Sequence, residues 1–158
     1  MKKALKLVSV LMSAVLLVCA FASCGKEDNT PKITVEIAVY NGAKGENIIV
    51  GQRNLSLDEG ATALDAMNAL VSGRGVTFTT GTDGQFVNIT YNGKKVEGSQ
   101  TTLPDGKVEM KKIGWMVNDV AMTGASTQTE TAPKDKVLAT GDVISIFIET
   151  LVVEPDKR

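Results

Sequence analysis

Two pairs of carboxylates, Asp58 with Glu59 and Asp135 with Asp142, are the side chains here whose type could support general acid–base chemistry. That chemistry needs two acids held across a cleft. Nothing in the spacing of either pair places them so, and solvated acids are the default for these residue types. The chain has 158 residues and no histidine, which removes imidazole metal sites and Ser-His or Cys-His nucleophile pairs. It shows no phosphate-cradling glycine loop and no dinucleotide fingerprint. The expectation is a protein with no catalytic residue, no metal site and no covalently bound cofactor. What remains is recognition chemistry. Trp115 is the one tryptophan in a chain that is 4% aromatic, and it stands in "IGWMVNDVAM", Ile113–Met122. With Tyr91, Asn118 and Asp119 it makes the candidate ligand-binding set: two aromatic faces, an amide and a carboxylate.

Cys24 is the other residue with a chemical role. Lys2, Lys3 and Lys6 form a positive head, and Leu7 to Phe21 is an uncharged apolar run of secretory rather than membrane-spanning length. The run ends in "FASC", which resembles a bacterial lipoprotein signal in which the cysteine becomes the lipidated first residue. Phe21 stands where such signals usually carry an aliphatic residue. Without lipidation the same segment reads as a plain signal peptide or an uncleaved anchor. The only other cysteine, Cys19, lies inside the apolar run, so the exported part holds no pair for a disulfide. The expected organisation is a signal over 1–23, the lipidated Cys24 with a flexible tether to 32, and one domain over 33–154. This places the protein on the outer side of a bacterial membrane, in contact with the bilayer through the lipid. Cleavage removes three of the 17 basic residues and none of the 18 acidic ones, leaving 135 residues with formal charge −4. A chain that long builds one core, and its mildly acidic balance argues against a nucleic-acid partner. The tether "GKEDNTPK" is polar and aperiodic, and its eight residues extend to at most about 26–29 Å.

The elements that must position the candidate residues follow from periodicity. "KITVEIAVY" alternates with Ile33, Val35, Ile37 and Val39 on one face, which predicts a strand. Asn41-Gly42 is the expected reversal into a second strand, "IIVGQRNLSL", with Gly51 as its bulge. Ala63, Leu64, Met67, Leu70 and Val71 fall at helical spacing, with Thr62 and Asp65 as a capping box and Gly73 and Gly75 as the stop. "VTFTT" and "QFVNITYNG" predict further strands, the second with Val87, Ile89 and Tyr91 alternating against Phe86, Asn88 and Thr90. The stretches 94–112 and 123–136 read as long loops. "IGWMV-ND-VAM" predicts a tight hairpin turning at Asn118-Asp119. "DVISIFIETLVV" closes the chain with Ile144, Ile146 and Ile148 on one face. The sum is an α+β domain, β-grasp-like, with one helix packed across one face of a mixed or antiparallel sheet.

Four segments in order carry a resemblance: "EGATALDAMNAL" (59–70), "GQFVNITYNG" (84–93), "GWMVND" (114–119) and "TGDVISIFI" (140–148). Together they resemble the DUF4430 family of secreted bacterial proteins, which is similar to the C-terminal β-domain of transcobalamin and intrinsic factor among the soluble-ligand-binding β-grasp folds. The resemblance spans about Ile33 to Thr150. It implies a binding module rather than an enzyme, with a cobalamin-like ligand as the family's precedent. The helical barrel that completes the vitamin carriers' clamp has no counterpart in this chain. Asp119 stands where the family often has glycine, and no vitamin-contacting residue carries over.

Two functions fit these readings. One is a membrane-anchored module that binds a small ligand, the other a surface interaction or adhesion domain that binds a protein or polymer. A concave pocket at Trp115 favours the first, and a bare sheet edge the second. The position of Trp115 beside Ile113 and Val117 supports both a core role and a pocket-wall role. The expectation carried forward is a ring packed by one face, its edge reaching the surface near Asn118-Asp119.

Overall fold

The computed structural model describes residues 30–72, 74–123 and 129–154. The expected signal segment, Cys24, most of the tether, Gly73 and residues 124–128 of the 123–136 loop lie outside the described residues.

The alternation of "KITVEIAVY" forms β1 (Lys32–Tyr40), which takes in the residue expected to end the tether. Ile33, Val35, Ile37 and Val39 are all buried. β2 (Ile48–Asp58) pairs with it antiparallel. The connection is not the two-residue Asn41-Gly42 turn. It is a longer loop closed by the Asn41 N–H on the Asn47 carbonyl at 3.0 Å, with Asn47 left-handed at φ 45°. A two-residue turn would set Tyr40 opposite Ala43, and the apolar residues that β2 must bury, Ile49 and Val50, come only later; hydrophobic register overrides the turn signal. Gly51 is likewise no bulge, since it pairs in register with Ala38. The irregularities fall on either side of it. Arg53 and Asn54 together oppose Glu36, and Ile49 is the extra residue between Val50 and Ile48. Asn54 takes the left-handed conformation at φ 53°, which asparagine tolerates better than most residues.

The helix α1 (Ala63–Val71) starts at the expected capping box. The Asp65 N–H donates to Thr62 Oγ1 at 3.3 Å, and the Thr62 N–H donates to Asp65 Oδ2 at 2.8 Å. Its buried stripe is Ala63, Ala66, Met67 and Leu70; the expected Leu64 and Val71 are only half-buried flanks.

A hairpin of β3 (Val76–Thr80) and β4 (Phe86–Tyr91) follows, then β5 (Lys94–Glu97), making a three-stranded sheet in the order β3-β4-β5. A bulge at Val87 breaks the expected alternation of β4. It turns Phe86 and Ile89 to the core and leaves Val87 51% exposed. The stretch 94–112, expected as loop, is mostly strand: β5, β6 (Ser99–Thr102) and the start of β7 (Val108–Val117). Two things build these strands from polar sequence. Asn92 and Gly93, at φ 47° and 76°, force a tight turn of β4 onto β5, and β7 offers a ready-made edge to β6. Gly98 is the corner where the chain leaves one sheet for the other. A Cβ there would stand 2.9 Å from the Lys111 carbonyl oxygen, so the two backbones approach as only glycine allows.

The Asn118-Asp119 turn joins β7 to the short β8 (Val120–Ala121), as expected, with φ of 50° and 65°. The last strand, β9 (Val143–Val153), inserts between β1 and β7. It runs parallel to β1 and antiparallel to β7, giving the order β2-β1-β9-β7-β6 with β8 also on β7. The helix covers the β1–β2 side of one face and the three-stranded sheet covers the β7 side. The core lies between these and the larger sheet. The architecture is α+β, with one helix on mixed and antiparallel sheets.

Candidate functional site

On β7, Ile113, Trp115 and Val117 point to the same buried side, as their period-two spacing requires. Trp115 is 0% exposed, which corrects the expectation that its edge reaches the surface. The three-stranded sheet closes over it. Phe86 meets the indole edge to face, with centroids 6.3 Å apart and planes at 77°, and Phe78 meets Phe86 in the same manner at 5.8 Å. The indole N–H still needs a partner, and the protein supplies one internally. Trp115 Nε1 donates to Gln85 Oε1 at 3.0 Å, and Gln85 Nε2 donates to the Thr131 carbonyl at 3.1 Å. Gln85, 9% exposed, is the residue the sequence reading missed. A single glutamine ahead of a strand carries no signal that it will enter the core.

Gly114 explains its own place beside the tryptophan. It pairs with Phe147 across β7 and β9 on the opposite face, and the Phe147 ring lies over it. A Cβ at Gly114 would come within 3.1 Å of that ring's Cε2 and Cζ atoms. The Gly-Trp dipeptide thus serves both faces of the sheet at once.

Asn118 binds protein rather than facing a pocket. Its Nδ2 donates to Asp142 Oδ1 at 2.6 Å, and its Oδ1 accepts from the Val143 N–H at 2.9 Å. Asp142 Oδ2 accepts from the Ala139 N–H at 2.9 Å. This amide–carboxylate clasp fixes the start of β9. Asp119 is exposed and pairs with Lys44. Tyr91 sits half-buried at the end of β4 remote from Phe86, five residues or roughly 17 Å away along an extended strand. The four candidate residues are therefore not brought together. Neither are the acid pairs: Asp58 is held by Lys32, and both oxygens of Asp142 are engaged as described.

Two concave surfaces are present, and none of the four candidate residues lines either. A cleft of about 680 Å³ runs between the 41–47 loop and Phe147–Thr150 of β9, and is also lined by Lys95 and Glu97 of β5. A second, of about 320 Å³, lies where Gln85, just ahead of β4, and Val87 of β4 face Gly98 and the Lys111–Ile113 segment of β7. Lys111 and Glu97 line both. The larger cleft is lined by Lys44, Lys95 and Lys111 and by Glu46, Glu97 and Glu149; Lys44 pairs with Asp119, Lys95 with Glu97 and Lys111 with Glu109. No group of three or more metal-ligating side chains occurs among the described residues. This chemistry suits hydrogen bonding and charge matching along an open trough. No protein-family model matches this sequence, and no curated protein is detectably similar to it.

Proposed function

We propose that the protein is a lipid-anchored extracytoplasmic lipoprotein whose β domain is a non-catalytic interaction module for a protein or polymer partner. The observation that carries this reading is the open trough beside β9, while Trp115, the side chain best suited to a small-ligand pocket, is consumed by the core. The proposed fold is β-grasp-like. Its support is the single helix that follows an N-terminal hairpin and crosses a sheet in which β1 and β9 are parallel central neighbours. On that proposal the similarity to DUF4430 and to the transcobalamin β-domain is one of scaffold.

The small-ligand reading, with a cobalamin-like molecule as precedent, keeps one supporting observation: the clefts of about 680 and 320 Å³ fall in the size range of ligand pockets. Native mass spectrometry of the full chain from its producing host separates the two. The interaction reading expects the mass of the processed, lipidated chain with no further small molecule, together with retention of the chain on an extracytoplasmic protein or wall polymer. A small molecule retained at one per chain would overturn it in favour of ligand uptake.

A further inference from the structure

β9 is eleven residues long, but β1 accompanies it only from Val143 to Ile146. Beyond that, β1 turns away into the 41–47 loop, which gives β9 one more hydrogen bond, from the Ile148 N–H to the Gly42 carbonyl at 2.8 Å. On its other side β9 stays in unbroken register with β7 as far as Val153. In an extended strand every second residue turns its N–H and C=O to the same edge. The Asp142 carbonyl, which accepts from the Glu36 N–H, and the Ile148 N–H both point to the β1 side. The Ile148 carbonyl and both backbone groups of Thr150 and Val152 therefore point that way too. Among the described residues no strand pairs with them there, and Thr150 and Val152 are exposed. The larger cleft lies along the first part of this half-edge, as far as Thr150, with the 41–47 loop at its other side.

We propose that an extended segment of a partner polypeptide adds to the sheet here, beside β9 from Ile148 to Val152, taking up the line that β1 abandons. This rests on the interaction reading above and names its partner as a peptide strand. Main-chain donors and acceptors alternating at strand spacing are matched by another peptide backbone and by no polysaccharide. Five residues of β9 span roughly 17 Å, which sets the length of the added strand. Side chains of the added strand alternate between two environments. On one side they meet Lys95, Glu97 and Lys111, and on the other the Phe147 ring. The partner segment is thus alternately polar and apolar.

The test uses a displayed library of random octapeptides, selected on the full-length chain in detergent. Selected peptides should alternate polar and apolar residues, and binding them should slow amide exchange at Thr150 and Val152. Thr150→Pro removes the outward N–H and blocks the edge while leaving the pairing with β7 intact, because residue 150 turns its backbone groups away from β7. It should weaken binding by about tenfold or more, a fold-change of the size one lost main-chain contact produces. Thr150→Val keeps the N–H and should bind as the parent does. Equal binding by Thr150→Pro, or unchanged amide exchange in the parent chain with peptide bound, overturns the proposal. So does a concentration-dependent dimer that Thr150→Pro abolishes, which would make a second copy the occupant. Retention on an extracytoplasmic partner that Thr150→Pro leaves untouched sinks the strand-addition site and spares the interaction reading. If the parent chain is retained by no such partner, that reading itself fails.

Discussion

Trp115 shows how one side chain can be read correctly in position and wrongly in surroundings. Period-two counting puts it beside Ile113 and Val117, and all three are buried. What the count lacks is the layer above, because Phe86 reaches the indole only through a bulge at Val87 that no local signal marks. The indole N–H and the Gln85 amide then satisfy each other in a place where an orphaned group is costly. Trp115→Ala should destabilise the domain by about 3–5 kcal/mol. Gln85→Leu, which strands the indole N–H and the Thr131 carbonyl, should cost about 1–3 kcal/mol. Denaturant unfolding of both variants checks this; losses under about 0.5 kcal/mol, the range of surface substitutions, would mean that the indole is not buried in solution. Asn118 was legible as a turn residue from its tolerance of positive φ. Its clasp on Asp142 was not, because the two residues meet only once β9 is docked.

Among elements, legibility followed apolar content. β1, α1 and the buried half of β9 announce themselves by patterned Ile, Val, Leu and Met. β5 and β6 do not: "KKVE" offers one apolar residue and "SQTT" none, and both are strands because a neighbour supplies the hydrogen bonds. Tertiary pairing of this kind overrides propensity. The hinge of that arrangement is Gly98. Gly98→Ala sets a methyl against the Lys111 carbonyl and should cost about 1–3 kcal/mol, the range for overpacking. The neighbouring exposed change Ser99→Ala should stay within about 0.5 kcal/mol. Equal stability of the two variants in thermal melts would show that the two sheets do not meet at this corner. The candidate cleft shares this obscurity, since the 41–47 loop, β5 and β9 are far apart in sequence and their convergence is a product of topology.

For the whole molecule, the proposed anchoring makes Cys24 the point of attachment. No helix among the described residues is long and apolar enough to cross a membrane. On this reading the lipid is the link to the bilayer, and Cys24→Ala should release the protein into the medium or leave an unprocessed precursor. Fractionation with an antibody to the domain distinguishes these outcomes from normal processing and membrane retention, which would end the lipid reading. The domain class, one helix with alternating strands on both sides of it, was readable from the chain. The division into two sheets was not, because it depends on the corner at Gly98.

The parallel pairing of β1 with β9 also has a consequence in time. A ribosome delivers β1 first and β9 last, and the strands meet at Glu36 and Val143, across most of the domain's length. The helix waits as well: the N–H groups of Ala63 and Leu64 in its first turn donate to the carbonyls of Lys136 and Pro133, at 3.0 and 3.1 Å. An incomplete chain therefore carries an unfinished helix start and a β1 edge with Ile33, Val35, Ile37 and Val39 uncovered, a state open to association. Contacts this distant in sequence belong to slow folders, on the order of milliseconds to seconds. The β1–β2 and β3-β4-β5 pairings are local, but the larger sheet closes only when β9 arrives.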